Sequence, residues 1–188
     1  LAVIASAVLL AAGSAYAQYP TKTIKLIVPY PPGGATDVVG RVLAQRLSGP
    51  LGQQVVIDNR GGAGGNIGAE AAARSAPDGY TLLMGALTSH SIMATLEKDT
   101  LRYDLSKDLV PVAALARLNL FLVTRRDFPA KDVREFLAYL KNNHGKVTYG
   151  SAGNATGLHL AGEMLESQAG VRAVHVPYRG ASLALQDL

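Results

Sequence analysis

The sequence predicts an α/β protein built on parallel strands, and two observations support that class. Short apolar runs rich in β-branched residues, at 24–28, 55–58 and 80–84, alternate with longer segments that can form helices. Each run also ends in a turn of glycine or small polar residues before the next segment. This alternation is typical of parallel sheets whose strands are connected by right-handed helical crossovers.

The first strand and its turn set the pattern for the rest of the chain. The run 24–28 is largely apolar on both faces, which suits a strand covered by helices on each side of the sheet. The three prolines within 29–32 cannot continue a ladder of hydrogen bonds, so the strand is expected to end there. Gly33 and Gly34 then allow positive φ angles and a close approach of a ligand to the backbone.

A helix is expected to follow this turn, capped by the side-chain oxygen of Thr36 or Asp37 and broken at 49–52. Its start leaves N–H groups unpaired at the positive end of a helix dipole, which is a ready site for an anion. A plain strand–helix connection, with glycines for tight packing, is the alternative interpretation. One apolar stripe is expected on the helix, formed by Val38, Val39, Val42, Leu43 and Leu47.

Two further strands complete the first half. The apolar run 55–58 predicts the second strand, and the glycine-rich turn 59–68 opens an alanine-rich helix that extends to residue 73 or 74. The Pro-Asp-Gly turn at 77–79 precedes the third strand at 80–84. Because ligands bind outside the carboxyl ends of strands in open α/β sheets, these turns are the expected place for a site.

The second half repeats the same order. A further apolar run at 118–124 is followed by Asp132 and Glu135, a pair typical of a helix start, and that helix is expected to stop near Gly145. A strand at 147–149 leads into the turn 150–156. The remaining predictions are a helix with the stripe Leu158, Ala161, Leu165 and Ala169, and a last strand at 174–176.

The N-terminus and the composition restrict the class of protein. Residues 1–17 are uncharged, largely apolar and end in Ala-Tyr-Ala, which predicts a secretory signal peptide that lacks its charged beginning and is cleaved after Ala17. No cysteine occurs in the chain, so disulfides, thiolate sites and a lipid anchor at the cleavage site are not expected. The net charge of +4 comes from scattered basic residues, which does not favour nucleic acid as a partner.

Motifs for enzymatic chemistry do not fit the sequence. Gly62, Gly64 and Gly68 form a GxGxxxG pattern, one residue longer than the dinucleotide fingerprint, and no acid follows at the spacing that would bind a ribose. The turn after residue 149 is not a GxSxG nucleophile elbow. The four histidines lack metal-ligand spacing, so neither a metal nor a cofactor is expected.

The polar groups that remain are hydroxyls and backbone N–H groups at strand ends. These would hold a carboxylate by neutral hydrogen bonds and helix dipoles, so binding without chemistry is the preferred interpretation. A role for His90 in a cleft is left open, and the His159–Glu163 pair can equally be an ordinary helix face. The hydroxyl donors are Thr36, Thr88, Ser89, Ser151 and Thr156.

Four separated motifs in the same order give the chain a resemblance to a known family. They read IVPYPPGGATDVVGRVLAQRL, VVIDNRGGAGGNIGAEAAARSAPDGYTLLMG, VTYGSAGNATGLHLAGEML and VHVPYRG. Together, over residues 19–188, they resemble the Bug family, the extracytoplasmic solute receptors of tripartite tricarboxylate transporters. One departure is Gly61, where the family usually has proline.

The resemblance implies an α/β fold of the periplasmic-binding-protein type, a type II Venus flytrap whose two lobes close on a ligand. It divides the chain into a signal peptide (1–17), lobe one (18–120) and the start of lobe two (121–188), so the chain is expected to be a fragment. The ligand-binding residues that it implies, together with those proposed above, are Tyr30, Gly33, Gly34, Thr36, Asp37, Thr88, Ser89, His90, Ser151, Gly153, Asn154, Thr156 and His159.

The function that follows is a periplasmic receptor, not lipid-anchored and not an enzyme, that binds a small carboxylate and delivers it to the transporter's membrane permease subunits. The full-length protein is expected to be a monomer. Two alternatives stay open. One is a receptor of the same fold that reports to a signalling partner, and the other is a nucleotide-dependent enzyme of Rossmann type. The second is less favoured because a ribose-binding acid is missing.

Overall fold

The computed structural model describes residues 19–188, so the predicted signal peptide and its cleavage site lie outside the described part. Five strands and six α-helices occur within these residues. In chain order they are β1 (Ile24–Val28), α1 (Ala35–Leu51), β2 (Val55–Asn59), α2 (Asn66–Ala73), β3 (Thr81–Leu83), α3 (Leu87–Leu96), α4 (Val133–Asn142), β4 (Thr148–Ser151), α5 (Gly157–Ala169), β5 (Val174–Pro177) and α6 (Ala181–Gln186).

The first sheet is parallel, as the sequence predicts, and has β1 in its centre. Its strand order is β2-β1-β3, with Leu26 of β1 opposite Ile57 on one side and Leu82 on the other. Ile24, Leu26 and Val28 are at most 3% exposed, because helices cover the sheet and leave the central strand no contact with water. We call β1–β3 with α1–α3 the first unit.

Helix α1 differs from its prediction at its start, whereas its end lies within the predicted break at 49–52. Its N-cap is Gly34, which offers no side-chain oxygen, while Thr36 and Asp37 lie inside the first turn. At the other end the helix continues through Pro50 and stops at Gly52, whose φ of 63° is left-handed and therefore suits glycine. A proline in the last turn removes one backbone hydrogen bond without ending the helix at that point.

The apolar stripe of α1 is narrower than predicted. Val39, Leu43 and Leu47 pack on the sheet, together with Leu51. Val38 and Val42 are more than half exposed, so their inclusion in the stripe was wrong. Val39, Leu43 and Leu47 are spaced four residues apart and form one row on the sheet side of the helix. Val38 and Val42 belong to the adjacent row, which faces solvent.

A buried carboxylate, Asp37, fixes the turn between β1 and α1. It is 2% exposed, and its oxygens accept hydrogen bonds at 2.9 Å from the Gly33 N–H, the Arg41 guanidinium and the Asn59 side chain. The same Asn59 amide donates to the carbonyl oxygen of Tyr30 at 3.0 Å. Asp37 therefore ties the turn to α1 and to the end of β2.

The second unit comprises β4, β5 and α4–α6. Its two strands pair in parallel, with Tyr149 opposite His175. The predicted start of α4 is confirmed, because the Asp132 side chain accepts from the Glu135 N–H at 2.8 Å. The Glu135 carboxylate accepts from the Lys131 N–H instead of completing the reciprocal bond. On α5, Ala161 is exposed and does not belong to the predicted stripe.

The sequence interpretation did not predict helix α3 and placed the hydroxyls of Thr88 and Ser89 at a strand end. Its N-cap, Ala86, offers no capping side chain, so the usual signal for a helix start is absent there. Ser89 and His90 are buried in its first turns. Within residues 19–188, no helix is both long and apolar enough to cross a membrane.

The segment 110–123, which contains most of the apolar run noted at 118–124, has no regular secondary structure and is exposed to solvent along its length. We call it the exposed apolar segment. Its large apolar side chains are between 48% and 85% exposed, and it pairs with no strand in the described part of the chain. They are Val110, Val112, Leu115, Leu118, Leu120, Phe121, Leu122 and Val123.

We expect residues 18–188, expressed alone, to self-associate, because an unpaired and apolar backbone segment invites pairing with another copy. The double substitution Val112→Ser and Phe121→Ser should reduce the associated fraction measured by sedimentation velocity. The matched control, Val38→Ser with Val42→Ser, alters exposed valines outside the segment and should leave association unchanged. A monomeric parent protein would contradict the prediction.

We also expect Asp37→Asn to lower the free energy of unfolding by about 2 kcal/mol at pH 7. Its hydrogen bond from Arg41, with those from Gly33 and Asn59, lowers the pKa of Asp37 to about 2, so the folded state favours the charged carboxylate. This contribution is present above about pH 4 and is lost as the pH falls toward 2. Urea titrations as a function of pH measure it, and Asp78→Asn at an exposed ion pair should have little effect.

Candidate functional site

The turns that leave the strands of the two units meet one another. Ser89 at the start of α3 accepts a hydrogen bond from the Gly157 N–H of α5 at 3.4 Å. A Cβ placed on Gly64 would lie 2.9 Å from the backbone oxygen of Asn154. One placed on Gly180 would lie 3.0 Å from the Pro31 ring. The two units are therefore in contact at the carboxyl ends of their strands.

A cavity of about 270 Å³ lies at this junction. The first unit contributes Tyr30, the turn 62–65, Met93 and Glu97 to its wall, and the second unit contributes the turns 152–154 and 177–179. This volume is just below the range of about 300–1,000 Å³ that is usual for small-molecule sites, so it suits a ligand of few atoms.

The glycine-rich turn 62–65 forms much of the first wall. Gly64 and Gly65 have φ angles of 63° and 104°, which L-residues with a side chain rarely adopt. The Tyr30 hydroxyl donates to the Gly64 carbonyl at 3.2 Å. Burial raises the pKa of Tyr30, so the phenol stays protonated and keeps this bond. The glycines of this turn therefore present backbone to the cavity, and the Tyr30 hydroxyl holds the turn in place.

His90 lies behind this wall and is 1% exposed. A Cβ on Gly65 would lie 3.1 Å from both the His90 Cε1 atom and the Tyr30 hydroxyl, which places both rings against the turn. Neither ring nitrogen has a hydrogen-bond partner among residues 19–188. Burial lowers the pKa of His90 to about 4, so the imidazole is neutral.

The turn 151–156 forms the second wall, and its own side chains hold its shape. The Ser151 hydroxyl lies 2.6 Å from the His175 Nε2 atom and 3.1 Å from the Gly153 N–H. Thr156 donates to the Gly153 carbonyl at 2.7 Å and caps α5 by accepting from the His159 N–H at 3.4 Å. These hydroxyls therefore point into the second unit.

His159 and His175 stack face to face beside this turn, with ring centroids 3.9 Å apart. His159 accepts from the Ala155 N–H through Nδ1 at 3.1 Å, and its Nε2 lies 3.4 Å from the Glu163 carboxylate. Burial, with a contribution from His159, lowers the pKa of His175. His175 was not among the predicted site residues, because it lies 24 positions from Ser151.

Of the predicted site residues, three line the cavity: Tyr30, Gly153 and Asn154. The remainder lie in the same turns or in the helix starts that follow them, outside the cavity lining, and their contact with a ligand stays a prediction. They are Gly33, Gly34, Thr36, Asp37, Thr88, Ser89, His90, Ser151, Thr156 and His159.

Several lining residues were missed by the sequence interpretation. The turn 62–65 carried a usable signal, since it is rich in glycine and follows a strand of the predicted sheet. The turn 177–179 carried the same kind of signal, since it follows the predicted strand 174–176. Met93 and Glu97 gave no comparable signal, because their position at the cavity depends on how the two units meet.

We expect the stability of the protein to fall as the pH is lowered from about 6.5 to about 4. In this range the unfolded chain takes up a proton at His90 that the folded chain resists. The free energy of unfolding is therefore lowered by about 2–3 kcal/mol at pH 4. His90→Leu should flatten this part of a stability profile measured with urea. His144→Gln, at an exposed site, serves as the control, and an unchanged profile in His90→Leu would contradict the assignment.

Comparison with known proteins agrees with this architecture. Protein BugT of Bordetella pertussis is 38% identical over 170 residues, which cover 90% of this chain and 52% of BugT. The Rhodopseudomonas palustris protein MatC with bound malate is 35% identical, with a TM-score of 0.83, over 90% of this chain and 57% of that one. The R. palustris protein Rpa4515 with adipate is 34% identical, with a TM-score of 0.85, over 90% of this chain and 56% of that one.

These matches establish the fold class and show how much of each relative's length this chain covers. The two-unit α/β architecture is that of periplasmic binding proteins, and the predicted fold class is confirmed. The chain spans about half the length of the curated relatives that it matches. Residues 39–188 match the family described as the tripartite tricarboxylate transporter family receptor. With this match over most of its length, the chain belongs to that receptor family.

Proposed function

We propose that this protein is a periplasmic receptor that captures a small carboxylate between its two units and delivers it to the membrane subunits of a tripartite tricarboxylate transporter. The observation that carries the proposal is the cavity at the junction of the strand ends, walled by glycine turns of both units. The relatives named with adipate and malate support a carboxylate as the ligand class.

Binding without turnover fits the groups that face the cavity. Its lining comprises the turns 62–65 and 152–154, with Tyr30 and Asn154, and the charged residues Glu97 and Arg179 at opposite units. Backbone N–H groups and neutral side chains hold a carboxylate without transferring a proton to it. The Ser151–His175 pair has the atoms of a nucleophile and base, but Ser151 is 1% exposed and bonds the turn that contains it.

The proposed course of binding uses both units. A carboxylate held by donors of only one unit would gain few hydrogen bonds, whereas closure of the second unit supplies the others and removes water. We assign residues 18–120 to the first lobe and residues from 121 onward to the second. Export through the predicted signal peptide would place the receptor in the periplasm.

The proposal is tested by calorimetric titration of the purified protein with malate and with adipate. Asn154→Ala should weaken binding of the preferred acid about five-fold, since one side-chain hydrogen bond is worth about 1 kcal/mol. Asn142→Ala, at an exposed position at the end of α4, is the matched control and should bind like the parent protein. If neither acid nor any other small carboxylate binds, the proposed function is wrong.

A further inference from the structure

We infer that Glu97 and Arg179 give the cavity a charge polarity that selects its ligand, an inference that rests on the proposed function. The two residues line the same cavity from different units, Glu97 from the first and Arg179 from the second. The ligand class that fits is a carboxylate whose other end carries an ammonium or a neutral donor group. A second carboxylate at that end is disfavoured.

Glu97 is held at the end of α3 by its backbone. Its N–H donates to the Met93 carbonyl at 2.9 Å, and its carbonyl accepts from the N–H groups of Thr100 and Leu101, each at 2.9 Å. Met93 also lines the cavity and is 2% exposed, so the turn of helix that carries Glu97 is anchored in the protein interior.

The position of Glu97 offers no structural advantage to a carboxylate. A negative charge at the C-terminal end of a helix is opposed by the helix dipole. The Glu97 carboxylate also makes no hydrogen bond or ion pair with another residue of 19–188. A contact with a ligand in the cavity would give this charge the partner that the protein does not supply.

Arg179 is held on the opposite side by its two neighbours. The Tyr178 N–H donates to the Ser151 carbonyl at 3.1 Å, and the Tyr178 hydroxyl donates to Asp187 at 2.8 Å. Gly180 is buried against the Pro31 ring of the first unit. Within residues 19–188, the Arg179 guanidinium has no carboxylate within ion-pair distance.

A ligand carboxylate in this cavity is drawn toward Arg179 and repelled by Glu97, so it is oriented with its charged end at the second unit. The far end of the ligand then faces Glu97. Both side chains are also in contact with solvent, which screens them, and the expected discrimination is therefore about three- to five-fold. Glu97 is thus a specificity-determining residue whose effect depends on the charge of the ligand.

The test compares ligands of equal carbon number by calorimetry at low ionic strength. The six-carbon set is adipate, hexanoate and 6-aminohexanoate, and the four-carbon set is succinate, butanoate and 4-aminobutanoate. The measured quantity is the Kd of the dicarboxylate divided by the Kd of the amino acid, at the chain length that the protein binds more tightly. We expect Glu97→Gln to lower this ratio about three- to five-fold and added salt to reduce the difference.

Asp99→Asn is the matched control for Glu97→Gln. It also removes one negative charge, but Asp99 lies two residues further along the chain and does not line the cavity. Arg179→Gln should weaken all three ligands of a set about three- to five-fold, whereas Arg126→Gln, at an exposed position outside the cavity, should not. Glu97 and Arg179 are exposed, so their substitution is expected to leave the melting temperature unchanged.

Two results would overturn the inference, and they differ from each other. If carboxylates bind but Glu97→Gln leaves the ratio as it is in the parent protein and in Asp99→Asn, the inference is wrong and the proposed function stands. If the parent protein binds no member of either set, nor malate, nor any other small carboxylate, the proposed function fails and the inference fails with it.

Discussion

The hydrogen bonds accepted by Asp37 are the interaction on which the geometry of the cavity depends. One carboxylate gathers a turn, a helix and a strand end, through Gly33, Arg41 and Asn59. Asn59 in turn holds the carbonyl of Tyr30, and the Tyr30 hydroxyl holds the turn 62–65. A buried charge is tolerated only when it is fully paired, so the Asp37 carboxylate requires these donors to stay in place around it.

In the second unit, hydroxyl groups fix the turn at the cavity in place of a carboxylate. Its cavity turn is shaped by the hydroxyls of Ser151 and Thr156, which bond to the backbone of Gly153 and leave that backbone as the surface of the cavity. In both units the side chains therefore act on the backbone, and the backbone faces the space between the units. Glycine is needed where the two backbones approach, as at Gly64 opposite Asn154.

The local pattern of the sequence was sufficient for most of the fold. Alternating apolar runs and glycine turns predict all five strands. The reason is plainest for the central strand β1, because a strand buried between helices must be apolar. Helix α3 was missed because Ala86 gives no capping signal. The stripe on α1 was too wide because period alone does not show that Val38 turns away from the sheet.

The candidate site was harder to predict, because its residues come from distant positions in the chain. Ser151 and Thr156 were expected to offer hydroxyls to a ligand, and the structure engages both with their own turn. Their partner His175 could not be identified from spacing, since it belongs to a different strand. Glu97 and Arg179 lie at the cavity only because two separately formed sheets meet there.

The stacked rings of His159 and His175 have a consequence for how many protons the protein carries. With the ring centroids 3.9 Å apart, burial and the neighbouring His159 ring lower the pKa of His175. Counting histidines in the sequence therefore overstates the charge that the folded protein gains in mild acid. In the unfolded chain the His175 ring is exposed to water and takes up a proton that the folded chain resists, and the difference appears as proton uptake on unfolding.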